Sequence, residues 1–298
     1  MGMACLVDTT RCTGCRACQV ACKQWNDLAA EKTEIRGGQA GYGNPPALSS
    51  KTFTKMEFHE ILGPGGDLQR SVFVKHQCMH CLEPSCVSAC PVAALGKTDS
   101  GAVVYDGHKC IGCRYCMLAC PFGVPTLQWD RLAAYIKKCT FCFDRLADAP
   151  MVERVNDKPL GGESLARMRH SQQIPACVKA CPTGCIIFGD RDELIAEAHR
   201  RIEQQNVPGS SWKYVDHVYR EKEVGGTAWL YITNVPFEEL GFRTDLGERP
   251  YPEYTELALD SVPVLAMAVG AALGGAYWFT RRRNDVAQAE GPRTTAEE

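Results

Sequence analysis

Surplus charge of either sign is what this chain most lacks. Its 33 lysines and arginines against 35 aspartates and glutamates leave a formal net charge of -2 over 298 residues. That balance excludes the basic stripe of a nucleic-acid binder and gives no reason to expect an acidic substrate. Histidine is also scarce: there are seven, and none sits at ligand spacing from the cysteine-rich stretches. His76 and His80 bracket Cys78, yet enough cysteines stand there already, so both read as supporting or surface residues. No nucleophile–base set stands out, and Gly63-Pro64-Gly65-Gly66 lacks the Lys-Ser/Thr of a phosphate-binding loop. No chemistry on a substrate is therefore expected in this chain. Met1–Val7 runs straight into Cys12 without the pattern of a signal peptide, which argues against a secreted disulfide scaffold.

Cysteine, by contrast, is abundant, and sixteen of the 18 fall into four quartets. These are Cys12/Cys15/Cys18/Cys22, Cys78/Cys81/Cys86/Cys90, Cys110/Cys113/Cys116/Cys120 and Cys139/Cys142/Cys177/Cys181. The first and third read C-x2-C-x2-C-x3-C, the ferredoxin spacing for a [4Fe–4S] cubane, whose fourth cysteine ligates the neighbouring cluster in two-cluster ferredoxins. Each cubane iron needs one soft anionic donor beyond its bridging sulfides, and a thiolate supplies it. A zinc site would more often take two C-x2-C pairs, or cysteine with histidine. Iron–sulfur is the favoured reading and zinc the alternative. Cys90-Pro91, Cys120-Pro121 and Cys181-Pro182 each close a quartet, and proline holds the residue before it extended, which helps turn that cysteine outwards. Cys22-Lys23 is the exception. Exchanged fourth ligands predict four cubanes in two pairs. Cys5 and Cys185 remain outside the quartets, each close in sequence to a ligand loop; they read as buried apolar residues, with a spare ligand as the alternative.

Met3–Asp8 reads as a strand feeding the first cysteine loop. A Gly/Pro-rich loop, Gly37–Pro46, precedes two alternating runs, Thr52–Ile61 and Ser71–His76, that form a hairpin around Gly63–Gly66. Asp99–Asp106 predicts another short strand. The fourth quartet is split by a 34-residue insert, Phe143–Ala176, whose charge and glycine (Asp157–Glu163, Arg167–His170) predict a solvated loop or a partner-binding surface. Asp190–Gln205 carries a helical stripe of Leu194, Ile195, Ala198 and Ile202. Trp212–Arg220 and Thr227–Val235 read as strands separated by Glu221–Gly226, and Pro236–Asp260 as an acidic linker.

Ser261–Thr280 holds no charge. As a helix, Val262–Trp278 would be ~26 Å long, enough to cross a bilayer with little tilt. Tyr277 and Trp278 lie where an interfacial aromatic belt would, and Arg281–Arg283 follow. Ala266, Gly270 and Gly274 form a small-residue face along which membrane helices pack. The arginines favour a cytoplasmic C-terminus, which places the cysteine-bearing part in the periplasm of a bacterium. With no export signal of its own, the chain is expected to travel folded, beside a partner that carries one. Asn284–Glu298 is polar and expected to be disordered.

RCTGCRACQVACKQWND, HQCMHCLEPSCVSACP, KCIGCRYCMLACPFGVP and KKCTFCFDR…PACVKACPTG resemble the iron–sulfur subunits of membrane-bound molybdopterin oxidoreductases. The likeness is strongest to the beta subunit of respiratory formate dehydrogenase, through Trp25-Asn26-Asp27, GYGNPPALSSKTFTKMEF, Gly225-Gly226-Thr227 and the terminal anchor. Subunits of quinone-linked hydrogenases look similar. The resemblance implies an α+β fold of two ferredoxin-like lobes, each holding two [4Fe–4S] clusters, plus a C-terminal transmembrane helix. Residues 1–77 with 121–190 would make the first lobe and 78–120 the second. Residues 191–260 would be helix, strands and linker, 261–280 the anchor and 281–298 the tail. It implies four ligand sets: Cys12, Cys15, Cys18 and Cys181; Cys22, Cys139, Cys142 and Cys177; Cys78, Cys81, Cys86 and Cys120; Cys90, Cys110, Cys113 and Cys116. The implied function is electron transfer from a molybdenum- or tungsten-pterin catalytic subunit to a membrane haem b subunit that reduces quinone. The insert is longer than the family's pattern, and Cys185 stands where a small residue such as alanine is usual. The distant alternatives are a structural zinc protein and an independent soluble ferredoxin.

Overall fold

The computed structural model describes residues 2–34, 43–132, 134, 136–146, 154, 155, 158, 159, 174–289 and 291. Two compact units emerge, Met1–Tyr251 and Pro252–Glu298.

The centre of the first unit is β1 (Met3–Asp8), the strand expected ahead of the first quartet. It pairs antiparallel with β10 (Ile186–Asp190) and parallel with β11 (Trp229–Ile232). Every β1 residue after Met3 is buried, as are all four of β11, so both read as continuous apolar runs in the way a doubly covered strand must. Cys5 is one of them, fully enclosed, as its reading as a buried apolar residue anticipates. Asp8 ends β1 as a fully buried carboxylate. It is tolerated because it accepts from Tyr214 Oη at 3.0 Å and from Arg201 Nη1 at 3.1 Å.

The expected hairpin is β2 (Thr54–Leu62) with β3 (Leu68–Gln77), joined through the Gly63–Gly66 turn. β4 (Leu95–Lys97) pairs with β5 (Val103–Tyr105), the strand expected before the third quartet. Two minimal ladders follow, β6 (Thr126–Leu127) with β7 (Ile136–Lys137), and β8 (Arg154–Val155) with β9 (Lys158–Pro159). Leu127 and Ile136 pack with Leu95 and Val103 in one core cluster.

Four helices carry cysteines: α1 (Ala17–Trp25), α2 (Ser85–Ser88), α3 (Tyr115–Ala119) and α4 (Ala176–Lys179). Their lengths follow from proline. α2, α3 and α4 all stop before a Cys-Pro pair, because a pre-proline residue is driven out of the helical region. α1 has Lys23 after its last cysteine and runs on to Trp25. α5 (Arg191–Gln205) buries the Leu194, Ala198 and Ile202 stripe, and the Asp190 carboxylate caps it by accepting from the Asp192 and Glu193 backbone N–H groups.

Three expectations need correction. Trp212–Arg220 is not a strand: Tyr219 makes only an isolated bridge to Tyr231, and the Asn206 side chain takes both backbone groups of Tyr214. The acidic linker and the polar tail are shorter than expected. α6 runs unbroken over Tyr251–Ala289, since the flanking Glu253–Ala258 and Asp285–Ala289 are mostly good helix formers with no glycine to stop them. The insert does not begin as a solvated loop either. Phe143–Arg145 is a buried 3-10 turn in which Asp144 accepts from Trp25 Nε1 at 2.7 Å. Residues 147–153, 156, 157 and 160–173 of the insert lie outside the described residues, as do 35–42, which take in the start of the Gly/Pro-rich loop.

Gly226 holds the turn into β11 at φ 86°, ψ 161°, a conformation open almost only to glycine. A Cβ there would lie 2.7 Å from Arg191 Nη2 and 2.8 Å from the Glu221 carbonyl oxygen. Gly226→Ala should therefore cost about 1–3 kcal/mol from the backbone alone. Chemical denaturation should show an earlier midpoint, and an unchanged one would contradict the strain.

Candidate iron–sulfur sites

The four C-x2-C loops share one backbone device. The residue before the second cysteine is left-handed in each: Gly14 at φ 65°, His80 at 49°, Gly112 at 70° and Phe141 at 62°. Glycine adopts this freely, whereas His80 and Phe141 must be held in it by their surroundings. Both are buried, and their rings lie 4.9 Å apart, so two of the ligand loops brace each other. A second device follows each Cys-Pro, where Ala93, Gly123 and Gly184 are left-handed at 49°, 61° and 61°. Such turns aim successive backbone N–H groups inwards, a geometry suited to anions. Phe141 N–H donates to Cys139 Sγ at 3.4 Å and Ala94 N–H to Cys90 Sγ at 3.2 Å.

The four ligand sets that the resemblance implies are named here by their first member, and two of them each share a cavity wall. Cys12, Cys15, Cys18 and Cys181 line one open cavity of about 360 Å³, with Cys185 and Lys75 on its wall. Cys90, Cys110, Cys113 and Cys116 line another of about 360 Å³, whose remaining wall is largely apolar. Of the set Cys22, Cys139, Cys142 and Cys177 all four are buried, and Cys22 and Cys139 share an apolar cluster. Of the set Cys78, Cys81, Cys86 and Cys120, Cys78 lies in that same cluster with Cys120 packed against it, and Cys86 is buried. In every set one cysteine comes from a different quartet than the other three, or the quartet is split.

The electrostatics say what these cavities suit. Burial pushes the thiols of Cys18, Cys86 and Cys139 up to about 12, and neighbouring thiolates add to it. Burial likewise raises Cys116 to about 11, reinforced by Cys110, Cys113 and Cys90. Four thiols so placed cannot all ionise unless positive charge lies among them. A cationic iron–sulfide core supplies that charge at the centre of each ring. A single zinc ion would need donors meeting at ~2.0–2.3 Å from one point. Among the described residues, no three His, Cys, Asp or Glu side chains converge on a point that one metal ion could occupy. Soft thiolates gathered round one cavity are the donors a cubane takes.

Cys185 has a place that its position in the sequence did not reveal. Its thiol bonds to the sulfurs of both Cys12 and Cys181, which keeps Cys185 itself protonated. That bond, more than any other contact, brings Cys181 down to about 5. His80, read as a supporting or surface residue, is fully buried and accepts the Val103 N–H on Nδ1 at 2.8 Å. His76 is half-buried beside Glu57 at 3.3 Å. Sequence reasoning missed Lys75, Lys138 and Arg220, all buried near these sets. Their only signal is position: Lys75 stands three residues before Cys78, and Lys138 directly before Cys139.

A family model for a 4Fe-4S dicluster domain matches residues 69–157. A protein of Nitratidesulfovibrio vulgaris is 40% identical over 288 residues, covering 96% of this chain and 68% of that one. The hydrogenase-2 operon protein HybA of Escherichia coli is 36% identical over 292 residues, 90% of this chain and 81% of HybA. The iron–sulfur subunit of the nitrate-inducible formate dehydrogenase of Escherichia coli is 37% identical over 230 residues. That match covers 76% of this chain and 66% of the subunit.

Proposed function

The chain belongs to the family of iron–sulfur proteins that includes HybA and the formate dehydrogenase iron–sulfur subunits, and from that membership we propose that it is a four-cluster electron-transfer subunit. The observation that supports this reading is that Cys12, Cys15, Cys18 and Cys181 line one cavity and Cys90, Cys110, Cys113 and Cys116 another, each with one cysteine from a different quartet. When bound, each [4Fe–4S] cluster takes up and releases one electron. The chain's own part is to supply the thiolates, to aim backbone N–H groups at their sulfurs and to exclude water, which together tune each site. The two lobes, 1–77 with 121–190 and 78–120, would each hold a pair.

Electrons would enter from a molybdenum- or tungsten-pterin catalytic subunit and leave to a membrane haem b, quinone-reactive subunit. A hydrogenase as the catalytic partner is the second reading. It is favoured by the match to HybA, which extends over 81% of that protein against 66% of the formate dehydrogenase subunit. α6 is long and apolar enough to cross a membrane, with mean hydropathy 1.8 over its best window and no residue of that window buried. We place it in a bacterial inner membrane, with Arg281–Arg283 cytoplasmic and the clusters periplasmic. Ala266, Gly270 and Gly274 are its face towards the membrane subunit.

Metal analysis of the purified chain tests the core of this. About sixteen irons per chain are expected, at four per cubane, with little zinc. Iron near zero would sink the reading. The large subunit that co-purifies would decide between formate and hydrogen.

A further inference from the structure

Among the described residues Lys75, Lys138, Arg145 and Arg220 are buried cations outside ion-pair range of a carboxylate, the first two and Arg220 the most enclosed. Lys75 is 2% exposed, Lys138 2% and Arg220 3%. Among the described residues none of the three has an acidic side chain in ion-pair range, and their bonds are to neutral groups. Lys75 Nζ donates to Thr54 Oγ1 at 2.9 Å and Gln77 Oε1 at 2.8 Å, and lies 4.0 Å from the centre of the Trp229 ring. Lys138 Nζ donates to the carbonyl oxygens of Val103 and Cys139. The Arg220 guanidinium stacks 3.5 Å over the Phe122 ring with Nε and Nη1 unpartnered. A buried charge with neutral partners alone is expensive, so a counter-charge must stand nearby.

The nearby charges are the cysteine sets. Lys75 lines the Cys12 cavity together with Cys12, Cys15, Cys18 and Cys181. Lys138 reaches the carbonyl oxygen of Cys139, and Arg220 lies over a Phe122 ring that packs against the apolar cluster containing Cys78.

We propose that Lys75 is a positioning residue that acts as a fixed counter-charge for the Cys12 site. This rests on the cluster reading above. A cluster with four thiolates is anionic and becomes more so on reduction, so a fixed cation beside it favours the reduced form.

The test is Lys75→Met in the full chain, purified with whatever subunits accompany it. Iron is counted, and potentials are read by redox titration of the cluster spectra. Lys75→Met should keep its iron and shift one cluster to lower potential by at least tenfold in the reduced-to-oxidised ratio, 59 mV for a one-electron couple. The others should move less. Unshifted potentials with full iron would overturn the proposal. If Lys75→Met loses iron, Lys75→Arg decides: recovery of the iron supports a need for charge, and the same loss overturns it. A wild-type chain without iron would instead sink the cluster reading itself.

Discussion

A Cys120→Ala chain should lose the cluster of the Cys78 site and keep that of the Cys90 site. The order of residues suggests the reverse, because Cys120 closes the run that begins at Cys110. In the fold, the Cys120 thiol feels Cys78 and forms no part of the wall of the cavity lined by Cys110, Cys113 and Cys116. Pro121 is the cause. It ends α3 and holds Cys120 extended at φ -78°, ψ 114°, which turns its sulfur out of the local loop. Removing that thiolate leaves one iron of the Cys78 cluster without its protein donor. The expected iron content falls to about twelve per chain at four per cubane. The spectrum of the Cys90 site should persist, and Cys113→Ala should give the complementary loss. If Cys120→Ala abolishes the Cys90 signal instead, ligands are not exchanged and the paired-site scheme fails.

Much of this was legible because it is local. Four C-x2-C loops, three Cys-Pro closures and a hairpin around Gly63–Gly66 are written in contiguous residues, and so is the Leu194/Ala198/Ile202 stripe of α5. What escaped depends on pairing across the chain. β1 lies between β10 and β11, roughly 180 or more residues away, so its apolar run Ala4–Val7 shows burial but not its partners. Trp212–Arg220 has the alternation of a strand, yet Asn206 captures its backbone first. Lys75 and Lys138 were invisible for another reason. Lysine belongs at the surface unless something buried needs its charge, and composition cannot report that need. The same holds for Cys185, whose partners Cys12 and Cys181 come from opposite ends of the cluster-bearing region.

The second large effect concerns α6. Val269→Arg with Leu273→Arg should move the chain, expressed without its partners, from the membrane to the soluble fraction. The whole helix of 39 residues would be ~58 Å long, nearly twice the hydrocarbon thickness, so only part of it can lie in lipid. Asp260 and Arg281 bracket the uncharged stretch between them, which at ~30 Å matches the bilayer core. Arg282 sits 5.5 Å from the Trp278 ring, the pairing expected at an interface. Pro263 interrupts one backbone bond near the start of the span, where water or headgroups can satisfy it. Val269 and Leu273 lie near the middle, one turn apart on one face, where each arginine costs about 2.5–3.5 kcal/mol. Together they disfavour insertion by at least ~5 kcal/mol, more than three decades in partition. Expression without partners matters, because a bound membrane subunit could hold the chain whatever α6 does. Val269→Leu with Leu273→Ile is the control and should stay with the membrane through an alkaline wash. If the arginine pair stays there too, or the unaltered chain washes off, α6 is not a span. The clusters would then need another route to the bilayer.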